Sequence, residues 1–239
     1  MTSRSPAAPG KARTRARAWH AATAACVAAG VIIQVVLAWR NHMPVVVATG
    51  ESLQAFGGGP LGRALNVFAF FTIQSNLIVG GTCLLLAVDA NRPSTVFRVF
   101  RLIGLVGISV TGIVSHVALT GLLELDSWAL AADKLLHLVV PILAVLGWLA
   151  FGPRDQISPR IVKLTVLYPL AYMIFTVVRG PLASDWYPYP FADVKALGYL
   201  RVIINGFWIG LLFIALAAGF AWLDKRLPAE RANPPSLSH

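Results

Sequence analysis

Apolar residues run through this chain in long blocks separated by short polar links, with neither the strict alternation of a half-buried strand nor the narrow stripe of a surface helix. Six blocks, at about residues 20–38, 66–88, 102–123, 134–151, 161–178 and 202–223, are each long enough to cross a hydrocarbon core of about 30 Å at about 1.5 Å per helical residue. The pattern therefore predicts an all-α polytopic bundle of six transmembrane helices. It also predicts a basic tail over 1–18, a membrane domain over 19–224 and a second tail over 225–239. The longest link, residues 39–65, holds Gly57-Gly58-Gly59-Pro60, which breaks any regular element, and the run Met43-Pro44-Val45-Val46-Val47, too short to span. That run is expected to lie on the surface or to cover an opening.

Polar residues inside the blocks are few, so each one matters. The second block carries Thr72, Ser75, Asn76 and Val79 at i, i+3, i+4, i+7, on one helical stripe, with Gln74 turned to nearly the opposite side. The third carries Gly104, Gly107 and Gly112, suited to close helix approach, and Ser115-His116 near its end. The fourth opens with Asp133-Lys134, places His137 one turn in and continues to Pro141, which has no N–H for the carbonyl of His137 four residues earlier. A kink and a freed carbonyl are expected there. Counting from the ends of the blocks, Thr72 lies ~9 Å, His137 ~5 Å and His116 ~10 Å below the same membrane face. Three helices running in different directions thus bring polar groups to one level, where hydrocarbon penalises any left unpaired. For each residue taken alone, hydrogen-bonded helix packing is a competing explanation, and it weighs about evenly with function for His116.

Composition agrees with the pattern: of 239 residues, 57% are hydrophobic and 13% charged, and mean hydropathy is +0.70. The charge of +10 would suggest nucleic acid in a soluble protein. Here Arg4, Lys11, Arg13, Arg15 and Arg17 share one flank with Arg92, Arg98, Arg101, Arg154, Arg160, Lys163, Lys225, Arg226 and Arg231. The other flank has Arg40, Arg63, Lys134, Arg179, Lys195 and Arg201, offset by Glu51, Glu124, Asp126, Asp133, Asp185 and Asp193. The positive-inside rule then predicts both termini in the cytoplasm, a multi-pass protein of the cell membrane, anionic lipid as the partner of the basic rim, and no nucleic acid. Cys26 and Cys83 fall toward the inner halves of their blocks and predict packing, with no disulfide. No clustered Cys/His/Asp ligand set, H-E-x-x-H, Walker loop or G-x-S-x-G elbow is present, so no metal or other cofactor is expected.

Several motifs recur in order: Phe71-Thr72-x-Gln74-Ser75-Asn76, His137-x-x-x-Pro141, Tyr168-Pro169-x-x-Tyr172, Arg179-Gly180 and Trp186-Tyr187-Pro188-Tyr189-Pro190-Phe191. They resemble a bacterial family of six-span membrane proteins. That family is in turn distantly similar to the eukaryotic androgen-induced membrane proteins, which hydrolyse fatty acid esters of hydroxy fatty acids with an intramembrane threonine and histidine. The resemblance implies Thr72 as nucleophile and His137 as its base. The flanking sequence departs from the eukaryotic pattern in Gln74-Ser75-Asn76 and on both sides of His137.

The chemistry suits these residue types, since a threonine hydroxyl needs a positioned base before it attacks and a neutral imidazole can be that base. Ser75 and Asn76 are candidate oxyanion donors, with His116 and Asn205 as further polar groups of the cavity. Arg179 and Arg201 are candidates for a substrate carboxylate, and Asp133 is expected to be solvated rather than to orient the imidazole. The aromatic run at 186–191 is expected to form an interfacial belt and brace the rim of the site. The leading expectation is an intramembrane lipid-ester hydrolase acting on a small lipid ester. A small-molecule or proton-linked carrier with His116 and His137 as relays and Pro141 and Pro169 as hinges is the alternative. A haem or quinone protein ranks third, because such a bundle needs paired histidines at two levels.

Overall fold

The computed structural model describes residues 9–47, 59–90, 92 and 94–228. Arg4, Glu51, Gly57, Gly58 and Arg231 lie outside these. The described chain is helical almost throughout. Helices α1 (Pro9–Trp39), α2 (Gly59–Asn66) and α3 (Phe71–Val88) are followed by α4 (Thr95–Val114), which continues as a π-turn over Ser115–Leu119. Next come α5 (Ser127–Lys134), a second π-turn over Leu135–Val139, α6 (Val140–Phe151), α7 (Pro159–Leu182) and α8 (Val194–Arg226). Six helical stretches are long and apolar enough to cross a membrane: Gly10–Trp39, Phe71–Val88, Thr95–Leu119, Ser127–Phe151, Pro159–Leu182 and Val194–Arg226. The only strands among the described residues are a two-residue pair, β1 (Val45–Val46) and β2 (Leu123–Glu124), antiparallel with Val45 opposite Glu124.

The observed helices are longer than the apolar blocks. The tail residues Lys11 to Arg17 already belong to α1, because Ala and Arg are good helix formers and the helix continues past the hydrocarbon. The second span is shorter than its block: Val67–Ala69 is a 3₁₀ turn and Phe70 is extended (φ −76°, ψ 132°), so α3 starts at Phe71. Thr72 therefore sits in the first turn of its helix.

The centre of the bundle is α4, buried from Arg101 through Ile108 on every side. Only small side chains allow two neighbours to approach it. A Cβ on Gly107 would meet Ser75 Oγ at 2.9 Å, and one on Gly112 would come within 3.4 Å of the His137 carbonyl and Pro141. Trp148, Phe213, Leu136 and Val140 fill the core around it. Cys83 is buried there and accepts from Arg101 Nη1 at 3.4 Å. At the basic end of the bundle, Asp224 accepts from the backbone N–H groups of Asp155, Gln156 and Ile157 at 2.8–3.0 Å, tying α8 to the link before α7. Helices α7 and α8 pack least tightly, and their outer faces carry exposed Leu167, Leu170, Ile203 and Phe207.

Candidate functional site

The first turn of a helix leaves backbone N–H groups without partners, and Phe70 has no side-chain oxygen to cap α3. Two phenols from distant parts of the chain do it instead. The N–H of Phe71 donates to Tyr172 Oη and that of Thr72 to Tyr189 Oη, each at 3.1 Å, while Tyr172 Oη donates onward to the Ala69 carbonyl at 3.0 Å. Tyr189 is held by packing: its ring meets Phe70 edge-on at 5.6 Å and stacks on Phe191 at 5.0 Å. Burial pushes the Tyr189 phenol up from its ordinary value, so it keeps its proton.

The buried Thr72 side chain has two partners. Its Oγ1 lies 3.2 Å from His137 Nε2 and 3.1 Å from Tyr189 Oη. On the far side of the imidazole, Nδ1 is 2.8 Å from Asp133 Oδ1, four residues back along the helix, and Lys134 Nζ is 3.9 Å from the other carboxylate oxygen. Asp133 is thus turned to the imidazole, not left to solvent as the sequence suggested, because the chain is already helical from Ser127 and i,i+4 side chains meet on one face.

Asn76 and the π-turn fix the level of His137. Val140 N–H bonds to Leu135 O in i→i+5 register, so the next group in that register, Pro141, faces the Leu136 carbonyl with no hydrogen to offer. Asn76 Nδ2 supplies one at 3.2 Å and also donates to Thr72 O at 2.8 Å. The freed carbonyl is therefore that of Leu136, and a side chain of α3 satisfies it.

The remaining candidates are placed apart from the pair. Asn76 has both amide hydrogens committed to backbone carbonyls, which leaves no donor for an oxyanion. Ser75 is fully buried against Gly107 on α4. His116 is exposed, its Nδ1 3.0 Å from Gly112 O of its own helix. Asn205 donates to Phe191 O at 2.8 Å and so fastens the segment that carries Tyr189. Arg179 lies over the Trp186 ring at 5.1 Å and donates to Asn66 Oδ1, a structural clasp between α7 and α2. Arg201 is exposed, and at about 100° per residue it points roughly 160° away from Ile203, which faces the cavity described next. Gln74 does face elsewhere than the Thr72 stripe, donating to Phe68 O and accepting from Tyr168 Oη.

Two cavities meet at the pair. The larger, about 530 Å³, lies between α4, α7 and α8 and is walled by residues such as Phe71, Val114, Pro169, Met173, Phe207, Gly210 and Phe213. The smaller, about 100 Å³, lies under the link after α1 and is walled by Gln34, Met43, Pro44, Leu122, Leu123, Pro188 and Asp133. Thr72, His137, Tyr189 and Leu119 line both. The Met43-Pro44 run does cover an opening, held by the β1–β2 pairing beside it.

Sequence reasoning missed Tyr189 as a partner of Thr72. Tyr189→Phe is expected to leave the Thr72 N–H unpaired in a buried setting, at a cost of about 1–3 kcal/mol. That corresponds to a drop of several degrees in the melting temperature of detergent-solubilised protein, followed by intrinsic fluorescence. An unchanged melting temperature would show that the phenol does not cap α3.

No group of three or more His, Cys, Asp or Glu side chains that could hold a metal ion occurs among the described residues. Comparison of the chain with protein-family models, curated proteins and solved structures found no match.

Proposed function

We propose that the protein is an intramembrane hydrolase that cleaves a lipid ester through an acyl-threonine. The observation that carries this reading is the row Asp133–His137–Thr72, a carboxylate–imidazole contact of 2.8 Å followed by a 3.2 Å hydrogen bond, in the wall shared by two cavities. A carboxylate on Nδ1 selects the tautomer with hydrogen on that nitrogen, leaving the Nε2 lone pair for the threonine proton. Tyr189 then donates to Oγ1 and Oγ1 to Nε2, two hydrogen bonds that point the same way and polarise one another, while the carboxylate faces the far nitrogen at ion-pair distance.

In the first half of the reaction Thr72 Oγ1 attacks the ester carbonyl and its proton passes to His137 Nε2. The C–O bond to the alcohol breaks, and the alkoxide leaves with that proton. In the second half a water attacks the acyl carbon, gives its proton to Nε2, and the fatty acid leaves as the proton returns to Oγ1. As Oγ1 becomes an ester oxygen and a weaker acceptor, the un-ionised Tyr189 O–H that bonded it is freed to turn toward the developing negative charge beside it. Fatty acid esters of hydroxy fatty acids, implied by the sequence resemblance, are one substrate class of this kind. The reading includes a cytoplasmic location for both termini and the basic flank, with the site in the outer half of a cell-membrane bundle. It is favoured over a carrier because exposed His116 and its own-helix contact give no relay continuous with His137.

The test is labelling of detergent-purified protein with a fluorophosphonate probe and mapping of the modified residue by mass spectrometry. Modification of Thr72 is expected. A folded protein that takes up no label at Thr72 would overturn the reading.

A further inference from the structure

We propose that the two cavities sort the two arms of the ester: a long acyl chain lies in the cavity between α4, α7 and α8, and a compact alcohol lies in the smaller one beneath Met43 and Leu123. This rests on the hydrolase reading above and narrows its substrate class to esters of compact alcohols, which excludes fatty acid esters of hydroxy fatty acids because their long alcohol arm exceeds the smaller cavity.

Four observations carry it. First, Thr72 and His137 line both cavities, so an ester carbonyl at Oγ1 has a cavity on each side for one of its arms. Second, their sizes are unequal, about 530 and 100 Å³. At roughly 30 Å³ per methylene-sized group, the volume of one liquid water, these hold about eighteen and about three such groups. Third, the large cavity extends over Ile203 to Ile214 of α8, about 16 Å of helix. Several of its wall residues, Leu167, Leu170, Ile203 and Phe207, are themselves largely exposed, so the cavity opens between α7 and α8. A hydrocarbon chain can therefore slide in sideways from the membrane. Fourth, the small cavity has the polar Gln34 and Asp133 in an otherwise apolar wall and adjoins the links outside the spans, which gives water a shorter path to the site from that side than through the large cavity.

The order of bond breaking decides which arm goes where. The acyl group stays on Thr72 through the second half of the reaction, while the alcohol departs and a water takes the position it vacated. The arm that remains must be the one the apolar cavity grips, and the arm that leaves must open the wet side. If the arms were exchanged, the leaving group would have to withdraw from the hydrocarbon cavity and the attacking water would have to enter through it, against its solvation.

Gly210 gives a handle on the large cavity. It lines the wall, and a Cβ built there meets nothing within 4 Å, so a side chain at this position grows into the space an acyl chain would take.

The experiment compares two isomers of one formula, ethyl hexadecanoate and hexadecyl acetate, presented to the full chain in the same mixed micelles, with release of acid and alcohol followed by mass spectrometry. Because the isomers partition alike, the comparison isolates the direction in which the ester lies. Ethyl hexadecanoate is expected to turn over at least tenfold faster. In Gly210→Phe the ratio of turnover on ethyl hexadecanoate to that on ethyl butanoate is expected to fall at least tenfold. Equal turnover of the isomers, preference for hexadecyl acetate, or an unchanged ratio in well-folded Gly210→Phe overturns the sorting while leaving the hydrolase intact. No turnover of any of the esters, with Thr72 never acylated, removes the hydrolase reading and the sorting together.

Discussion

Thr72→Ala is expected to abolish acyl-enzyme formation and to lower ester turnover by ~10³-fold or more, while the protein purifies and melts much as the wild type does. The two halves of this expectation come from different atoms of the same residue. The reacting oxygen is Oγ1, whereas the contact that caps α3 is made by the backbone N–H to Tyr189, and alanine keeps that N–H. Losing the hydroxyl removes one partner each from His137 and Tyr189, both of which line the smaller cavity, where a water can take its place. The measurement is ester turnover together with a melting curve in the same detergent. Turnover within tenfold of wild type would take the nucleophile role from Thr72. A collapse of the melting curve would instead place Thr72 among the residues that hold the helices.

The second large effect is expected at Asp133. Asp133→Asn keeps the size of the side chain but removes the charge that faces Nδ1, and the amide can donate its own hydrogen to that nitrogen, favouring the tautomer that presents Nε2–H to Thr72. A base that already carries its hydrogen cannot take another without becoming charged, now with no carboxylate to stabilise it. A fall in kcat of ~10²–10⁴-fold with a smaller change in KM is the expected result. Lys134 is not an alternative partner for the imidazole, since its ammonium is itself drawn to the same carboxylate at 3.9 Å. If kcat stays within a few-fold, Asp133 serves the helix and not the imidazole.

The six spans were legible from block length, and the similar depth of Thr72 and His137 pointed to a shared cavity without showing that the two side chains touch. Both starting points of the depth count moved, since α3 begins later than its apolar block and the fourth span earlier, at Ser127, and of the three residues counted His116 does not join the pair. What stayed hidden has a common cause. Phe70 gives no signal of a helix start, because the groups that cap α3 come from Tyr172 and Tyr189, more than a hundred residues away. The aromatic run at 186–191 reads as an interfacial belt from its composition, yet Trp186 and Tyr189 are buried and pack on Phe70. For Arg179, Asn205 and Asn76 the residue type suggested an open cation or amide. Which side chains already have partners is a tertiary fact that no local pattern carries.

The π-turn at Leu135–Val139 means that the stretch from Asp133 to Pro141 holds one more residue per turn than an ordinary helix would. Its phase is therefore set by chain count as well as by side-chain choice. Closing this turn into an ordinary helix with the same number of residues would rotate everything beyond it by roughly 100° relative to everything before it. Pro141, the Leu136 carbonyl and the imidazole would no longer present to α3 and α4 the faces they do now, though no residue at the site had been exchanged. A chain with every one of these side chains but an uninterrupted helix in that place would keep the residues and lose their alignment, so that the length of this segment belongs to the site as much as any residue in it.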